Sequence, residues 1–395
     1  MTIAPLTRLA LTLFAAALLA ACGFGAVAVP PATPLPTAVP TGAPAPQPTA
    51  APTSAPEPTA VPTAAPAANL NELTYVSQGG VYALPAAGGQ PRRLADAPAD
   101  ALAVTLAGDA LLVLRERSLD RVLLSGGAAR RVATLEGSIR FGVLVPAADG
   151  TTVFYAGRTD GNDARPFGET FVGRYSVGDG TATPLLTIGN GAEPLGLSAS
   201  GTELLLLPRG QDPAFGGIQV VDLAGGTVVR TLTVEGEGNA ALSPDGRYVI
   251  TTVNIESAEG SAPPSGGLRL YDLTSAKPEA FTPLDPPRPA GVVRNVIWAP
   301  DGTGFYVAAG KGNIYELSES YGIWRYDLAS GKPTQVSDAN VVAYSYIDGI
   351  SPDGAMLLLR NPQGGAMLVS TADGYATPIE LAAEARVAGW RARAQ

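Results

Sequence analysis

The chain contains no histidine and one cysteine, Cys22. Histidine is the side chain that most often serves as a general base and a metal ligand near neutral pH. A single cysteine can neither close an internal disulfide nor build a thiolate metal site. No Gly-x-Ser-x-Gly segment occurs either, so a Ser-His-Asp hydrolase is excluded. Carboxylates remain. Asp245, Asp301 and Asp353 recur in Pro-Asp-Gly settings, and Asp222, Asp272 and Asp327 recur before a second kind of turn. One per repeat unit on a common rim, they stand too far apart for paired-carboxylate catalysis, and turn formation accounts for them.

A basic set is spaced differently. Arg115, Arg158, Arg209, Lys311 and Arg360 follow a turn glycine by six to nine residues, each at the end of an apolar strand pattern. Several units would then place a cation at one rim, either as solvated strand ends or as a partial ring that attracts an anionic ligand. Long insertions are expected on that same side, at 157–170, 208–216, 254–267 and 309–322. Long loops on a rigid scaffold are where binding residues gather. The candidate binding face is therefore Arg115, Arg158, Asp160, Arg165, Arg209, Asp212, Phe215, Lys311, Tyr315, Tyr321 and Arg360. Trp298, Trp324 and Trp390 fall inside strand patterns and read as core.

The elements that position these residues are short strands. Leu242-Ser243-Pro244-Asp245-Gly246 leads into Arg247-Tyr248-Val249-Ile250, an apolar segment, a tight turn and a second apolar segment. Pro suits the first corner of a type I turn, Asp bonds back to nearby backbone, and Gly takes the left-handed conformation that closes it. Trp298-Ala299-Pro300-Asp301-Gly302 and Ile350-Ser351-Pro352-Asp353-Gly354 repeat the pattern, and weaker copies end at Asp109, Gly150 and Gly201. Each is followed by a second hairpin of the type Leu270-Tyr271-Asp272-Leu273, with a Gly turn in most copies. The turn glycines at 108, 150, 201, 246, 302 and 354 lie 42 to 56 residues apart. Four strands per repeat of this length, without helical periodicity, read as β-propeller blades.

This Ser-Pro-Asp-Gly strand unit, with its Tyr/Val-x-Asp-Leu strand and Gly turn, resembles the TolB-like, WD-type β-propeller repeat of bacterial envelope proteins over essentially all of 70–395. The resemblance implies an all-β propeller and is silent on activity, because unrelated functions share the scaffold. Seven second hairpins against six turn glycines predict seven blades of four antiparallel strands, with six or eight as alternatives. The first strands, 73–75, 81–84 and 92–94, lack an innermost partner, and Ala388-Gly389-Trp390 resembles the lead-in around Trp298. The N- and C-terminal strands are therefore expected to pair and close the ring. Asp327-Leu328-Ala329-Ser330-Gly331-Lys332 is similar to the repeated motif of quinone-dependent propellers, but it lacks that motif's downstream Trp and is not echoed in other blades. No cofactor is expected.

The N-terminal part differs in kind. Residues 1–21 carry Arg8 and an apolar run, and Leu19-Ala20-Ala21-Cys22-Gly23 resembles the bacterial lipoprotein signal. That resemblance implies lipid on Cys22, an extracytoplasmic location and anchorage to a membrane. Residues 22–69 form a linker that from Pro30 to Pro66 is almost entirely Pro, Ala, Thr and Val, a composition that favours extended polyproline II and cannot form a core. Such a spacer reaches roughly 100 Å. The net charge of −9, without a large Lys/Arg cluster, argues against nucleic acid. The leading expectation is a surface-anchored, non-enzymatic propeller that binds a protein or glycan through its long-loop face. The alternative is a cell-envelope hydrolase or lactonase using carboxylates or a divalent ion at the channel mouth.

Overall fold

The computed structural model describes residues 71–392, apart from 87, 148–149, 162–167, 189–190, 199, 210–216, 233–238, 253–266, 279, 289–290, 313–316, 341–345 and 362–364. The described residues form strands and turns, with no helix among them. Chain order gives β1 (Asn71–Ser77), β2 (Gly80–Pro85) and β3 (Arg92–Asp96), then β4 (Ala103–Ala107), β5 (Ala110–Arg115), β6 (Ser118–Leu123) and β7 (Arg130–Thr134). Next come β8 (Ile139–Pro146), β9 (Thr152–Thr159), β10 (Thr170–Ser176) and β11 (Thr181–Ile188), and then β12 (Gly191–Leu197), β13 (Glu203–Arg209), β14 (Ile218–Asp222) and β15 (Thr227–Leu232). They are followed by β16 (Ala240–Leu242), β17 (Tyr248–Thr252), β18 (Leu268–Asp272) and β19 (Phe281–Leu284), and by β20 (Val292–Trp298), β21 (Gly304–Gly312), β22 (Leu317–Asp327) and β23 (Pro333–Ser337). The last are β24 (Tyr346–Ile350), β25 (Met356–Arg360), β26 (Gly365–Ser370), β27 (Ala376–Glu380) and β28 (Arg386–Ala392).

These strands make seven antiparallel four-stranded sheets, a seven-bladed propeller. Blades 2 to 7 are consecutive quartets, β4–β7 through β24–β27. Blade 1 is β28-β1-β2-β3, so the C-terminal strand supplies the innermost strand of the first blade, as the sequence predicts. The innermost strands β28, β4, β8, β12, β16, β20 and β24 touch one another in that order and line the channel.

The physical reason for the ring lies in the second strand of each blade, which is buried on both faces. In β5, Leu111 and Val113 pack toward blade 1, while Leu112 and Leu114 pack toward blade 3. The buried residues fall into seven clusters, each bridging one pair of neighbouring blades; the cluster of Leu73, Leu84, Leu358 and Leu368 joins blade 7 back to blade 1. A fully buried Leu contributes about 2 kcal/mol, so an unpartnered blade face would forfeit much of the fold's stabilisation.

The repeated turns form as their residues demand. Gly246, Gly302 and Gly354 have φ of 69, 69 and 71°. Ser243 Oγ donates to Asp245 Oδ1 at 2.5 Å and accepts from Tyr248 N at 2.8 Å, and Ser351 does the same with Asp353 and Met356 N at 2.6 and 2.9 Å. Asp301 Oδ1 accepts from Thr303 N, Asp272 Oδ1 from Thr274 N and Asp327 Oδ1 from Ser330 N. Turn geometry thus accounts for the recurrent aspartates.

Candidate binding site at the channel mouth

Strand alternation separates two rims. The connections from first to second strand and from third to fourth emerge on one rim; those from second to third, and between blades, emerge on the other. Three of the expected insertions, after β9, β13 and β17, separate paired strands by long connections on this second rim. The fourth differs: much of 309–322 is a hairpin extension, with Gly310 opposite Ser320 and Lys311 opposite Glu319. Pairing satisfies backbone groups that an open loop would leave to solvent, and the register shifts flanking Gly310 and Lys311 absorb the twist. The insertion expected from Gly157 is likewise shorter, because Gly157 pairs with Phe171 and Arg158 with Thr170.

The basic strand ends have different surroundings. Arg115 donates from Nε and Nη2 to the two carboxylate oxygens of Asp100, both at 2.8 Å, and from Nη1 to the buried Asp120 at 3.0 Å. This fork raises the Arg115 pKa and holds the Asp100 carboxyl below its ordinary range. Arg360 donates to Asp348 at 3.2 Å. Lys311 is exposed on the hairpin extension. Tyr321 packs beside Arg288, whose guanidinium lies 5.1 Å from its ring centre and 5.9 Å from that of Trp324. Trp298 and Trp390 are buried. The Arg209 side chain, Arg165, Asp212, Phe215, Tyr315 and Cys22 lie outside the described residues.

Arg158 is placed differently. Its guanidinium sits 4.6 Å over the ring of Phe141, which is 62% exposed. Both line a cavity of about 480 Å³ together with Leu102, Arg140, Val143, Ala156, Ala192, Glu193 and Arg386. These residues come from blades 3 and 4, from the first residue of β28 in blade 1, and from the connection into blade 2. The cavity therefore opens at the channel's end on the long-loop rim. Asp160 reaches it indirectly, accepting from Arg140 Nε at 2.9 Å.

A β-bulge builds this pocket. Ile139 pairs with Thr159 and Phe141 with Arg158, so Arg140 is the extra residue. The bulge breaks the alternation of β8, and consecutive Arg140 and Phe141 are both exposed. Sequence reasoning found Arg158 and Asp160 but missed Arg140, Phe141, Glu193 and Arg386. Ile139-Arg140-Phe141 alternates normally in the sequence, so no local signal marks the bulge that exposes both Arg140 and Phe141. Innermost strands β12, β20, β24 and β28 also show register shifts against their neighbours. At the shift in β20, Asn295 has φ of 47°. Among the described residues no three His, Cys, Asp or Glu side chains gather closely enough to hold a metal ion.

No protein-family model matches the chain, and no curated protein matches it by sequence. Solved structures do. An oligogalacturonate lyase in complex with manganese aligns at TM-score 0.52 and 14% identity, over 76% of this chain and 81% of that one. A candidate 6-phosphogluconolactonase of Bacteroides fragilis aligns at 0.50 and 14%, over 82% and 98%. TolB from Acinetobacter baumannii aligns at 0.43 and 15%, over 82% and 67%. At these identities the likeness is one of fold alone.

Proposed function

We propose that this protein is a lipid-anchored, non-enzymatic propeller, held outside the cytoplasm through Cys22 and its Pro-rich spacer, that binds a protein or glycan partner through the long-loop rim. One observation carries the reading. β1 starts at Asn71 and is the second strand of its blade, so the chain enters the propeller on the short-turn rim. The opposite rim carries the long connections after β9, β13 and β17 and the cavity lined by Arg158 and Phe141, whereas the rim where β1 begins carries tight turns. The absence of histidine adds to the case against acid–base hydrolysis.

Two measurements test it. Cys22→Ser should move the protein from the membrane pellet to the soluble fraction; a variant that stays in the pellet overturns the anchor. A photo-crosslinking residue at Asp160 or Lys311 should capture a discrete partner on intact cells, while one at Thr274 on the opposite rim should not. Equal capture from both rims, or none from either, overturns the assignment of the binding face.

A further inference from the structure

We infer that the cavity at the channel mouth binds a carboxylate carried on an apolar body, either a small organic acid or the C-terminal residue of a partner chain. The inference rests on the long-loop rim being the binding face, and it adds the chemistry that the rim recognises.

The cationic part of the site is Arg158 and Arg386. Among the described residues neither has a carboxylate partner: Arg158 lies over Phe141, and Arg386 is exposed at the start of β28. This separates them from Arg115, Arg140 and Arg360, whose guanidiniums are bound by Asp100 and Asp120, by Asp160 and by Asp348. A guanidinium's planar fork matches a carboxylate, and the aromatic face under Arg158 restricts its plane without neutralising it. Among the described residues, and counting Asp160 with the cavity, three guanidiniums face two carboxylates, an excess of positive charge that suits a monoanion.

The remaining lining decides what the carboxylate is attached to. Leu102, Phe141, Val143, Ala156 and Ala192 are apolar, and among the described lining residues Glu193 is the one acidic group. A hydroxyl-rich ligand would bury more donors than this lining can accept, whereas an apolar body would not. Phe141 is held from one side by Arg158 and is otherwise widely exposed, so it offers an apolar surface to such a body. A cavity of about 480 Å³ has room for one C-terminal residue or small acid and excludes a folded domain.

The experiment is calorimetric titration of the full-length chain with N-acetyl-leucine, N-acetyl-leucinamide, hexanoate and glucuronate, at two salt concentrations. N-acetyl-leucine and hexanoate should bind, more weakly at high salt. The neutral amide and the hydroxyl-rich glucuronate should bind at least about tenfold more weakly. N-acetyl-leucine binding more tightly than hexanoate identifies a chain terminus as the source; equal or weaker binding identifies a free acid. Arg158→Gln, Arg386→Gln and Phe141→Ala should each cost about tenfold or more in affinity at unchanged melting temperature. Arg174→Gln, an exposed arginine outside the cavity, should cost nothing. The inference is overturned if neither acid binds up to roughly 10 mM, if the amide or glucuronate binds as tightly as the acids, or if the arginine variants bind like wild type. Crosslinking from Asp160 or Lys311 that persists beside such a failure would leave the binding face standing and remove only its proposed chemistry.

Discussion

Arg391 Nη2 lies 2.9 Å from Glu72 Oε2, an ion pair between residues 319 positions apart in sequence. Arg391 is near the end of β28 and Glu72 near the start of β1, opposite each other in register. In blades 2 to 7 this place is occupied by a covalent turn; blade 1 has two chain segments there. Glu72 is 2% exposed and also accepts from Arg92 at 3.1 Å. Asn71 Nδ2 donates to Asp353 of blade 7 at 2.8 Å, so a neighbouring turn holds the same junction.

Breaking this junction should therefore weaken the whole ring. Arg391→Met removes one of the two cations that meet this buried carboxylate among the described residues, and partial exposure of the arginine moderates the loss to about 2 kcal/mol. Deleting 385–395 removes β28 altogether, exposes the edge of β1 and opens the channel wall, and should cause aggregation or a large fall in melting temperature. Urea denaturation checks the first variant and calorimetry the second. An unchanged melting temperature after the deletion would contradict closure by this strand.

Acid should unfold the propeller through its turns. Arg247 at 2.9 Å, with Thr274, holds the Asp272 pKa down from 3.8 to about 2. Asp301, Asp327 and Asp373 are lowered as well, chiefly by backbone and hydroxyl donors in their turns. A carboxylate whose pKa is lower folded than unfolded contributes stability that is complete above its unfolded value and is lost as pH falls through the folded one. The urea midpoint should be flat from neutrality down to about pH 5 and fall between about pH 4 and 2. Asp272→Asn should flatten part of that fall, which a pH series of urea melts will resolve.

Two glycines in one hairpin should respond differently to alanine. Gly302 has φ of 69° and open space where a Cβ would stand, so Gly302→Ala meets only the left-handed backbone penalty, about 1 kcal/mol. At Gly304 a Cβ would lie 2.2 Å from the backbone oxygen of Tyr326, which cannot rotate away. Gly304→Ala should cost more, about 3 kcal/mol, by pushing β21 from β22. Equal losses in chemical denaturation would refute this ordering.

Tyr326 ties blade 6 to the connection that precedes it. Its ring stacks on Phe305 at 5.0 Å, and its hydroxyl donates to the Asp285 carbonyl at 2.7 Å. Burial pushes its pKa up. Tyr326→Phe keeps the stack and leaves that carbonyl without its donor, a loss of about 1 to 2 kcal/mol. A urea midpoint matching wild type would show that water replaces the hydroxyl without cost.

The turn chemistry alone determined the architecture. Ser-Pro-Asp-Gly can form its hydrogen bonds only locally, so each copy marks a hairpin wherever the rest of the chain goes. The apolar runs between copies, such as Leu111 to Leu114, suit strands covered on both faces. Seven hairpins against six turns implied that the two ends must complete one blade. The tertiary structure alone decided which cations are free. Arg115, Arg158 and Arg360 look alike as strand ends, yet Asp100 with Asp120, the ring of Phe141 and Asp348 respectively meet them, and these contacts depend on register and on a bulge. Arg140, Phe141, Glu193 and Arg386 lie up to 246 positions apart and meet only because the ring brings blades 1, 3 and 4 to one channel mouth. Turns are local in sequence and can be read there, whereas a pocket made by convergence of distant strands has no local pattern to read.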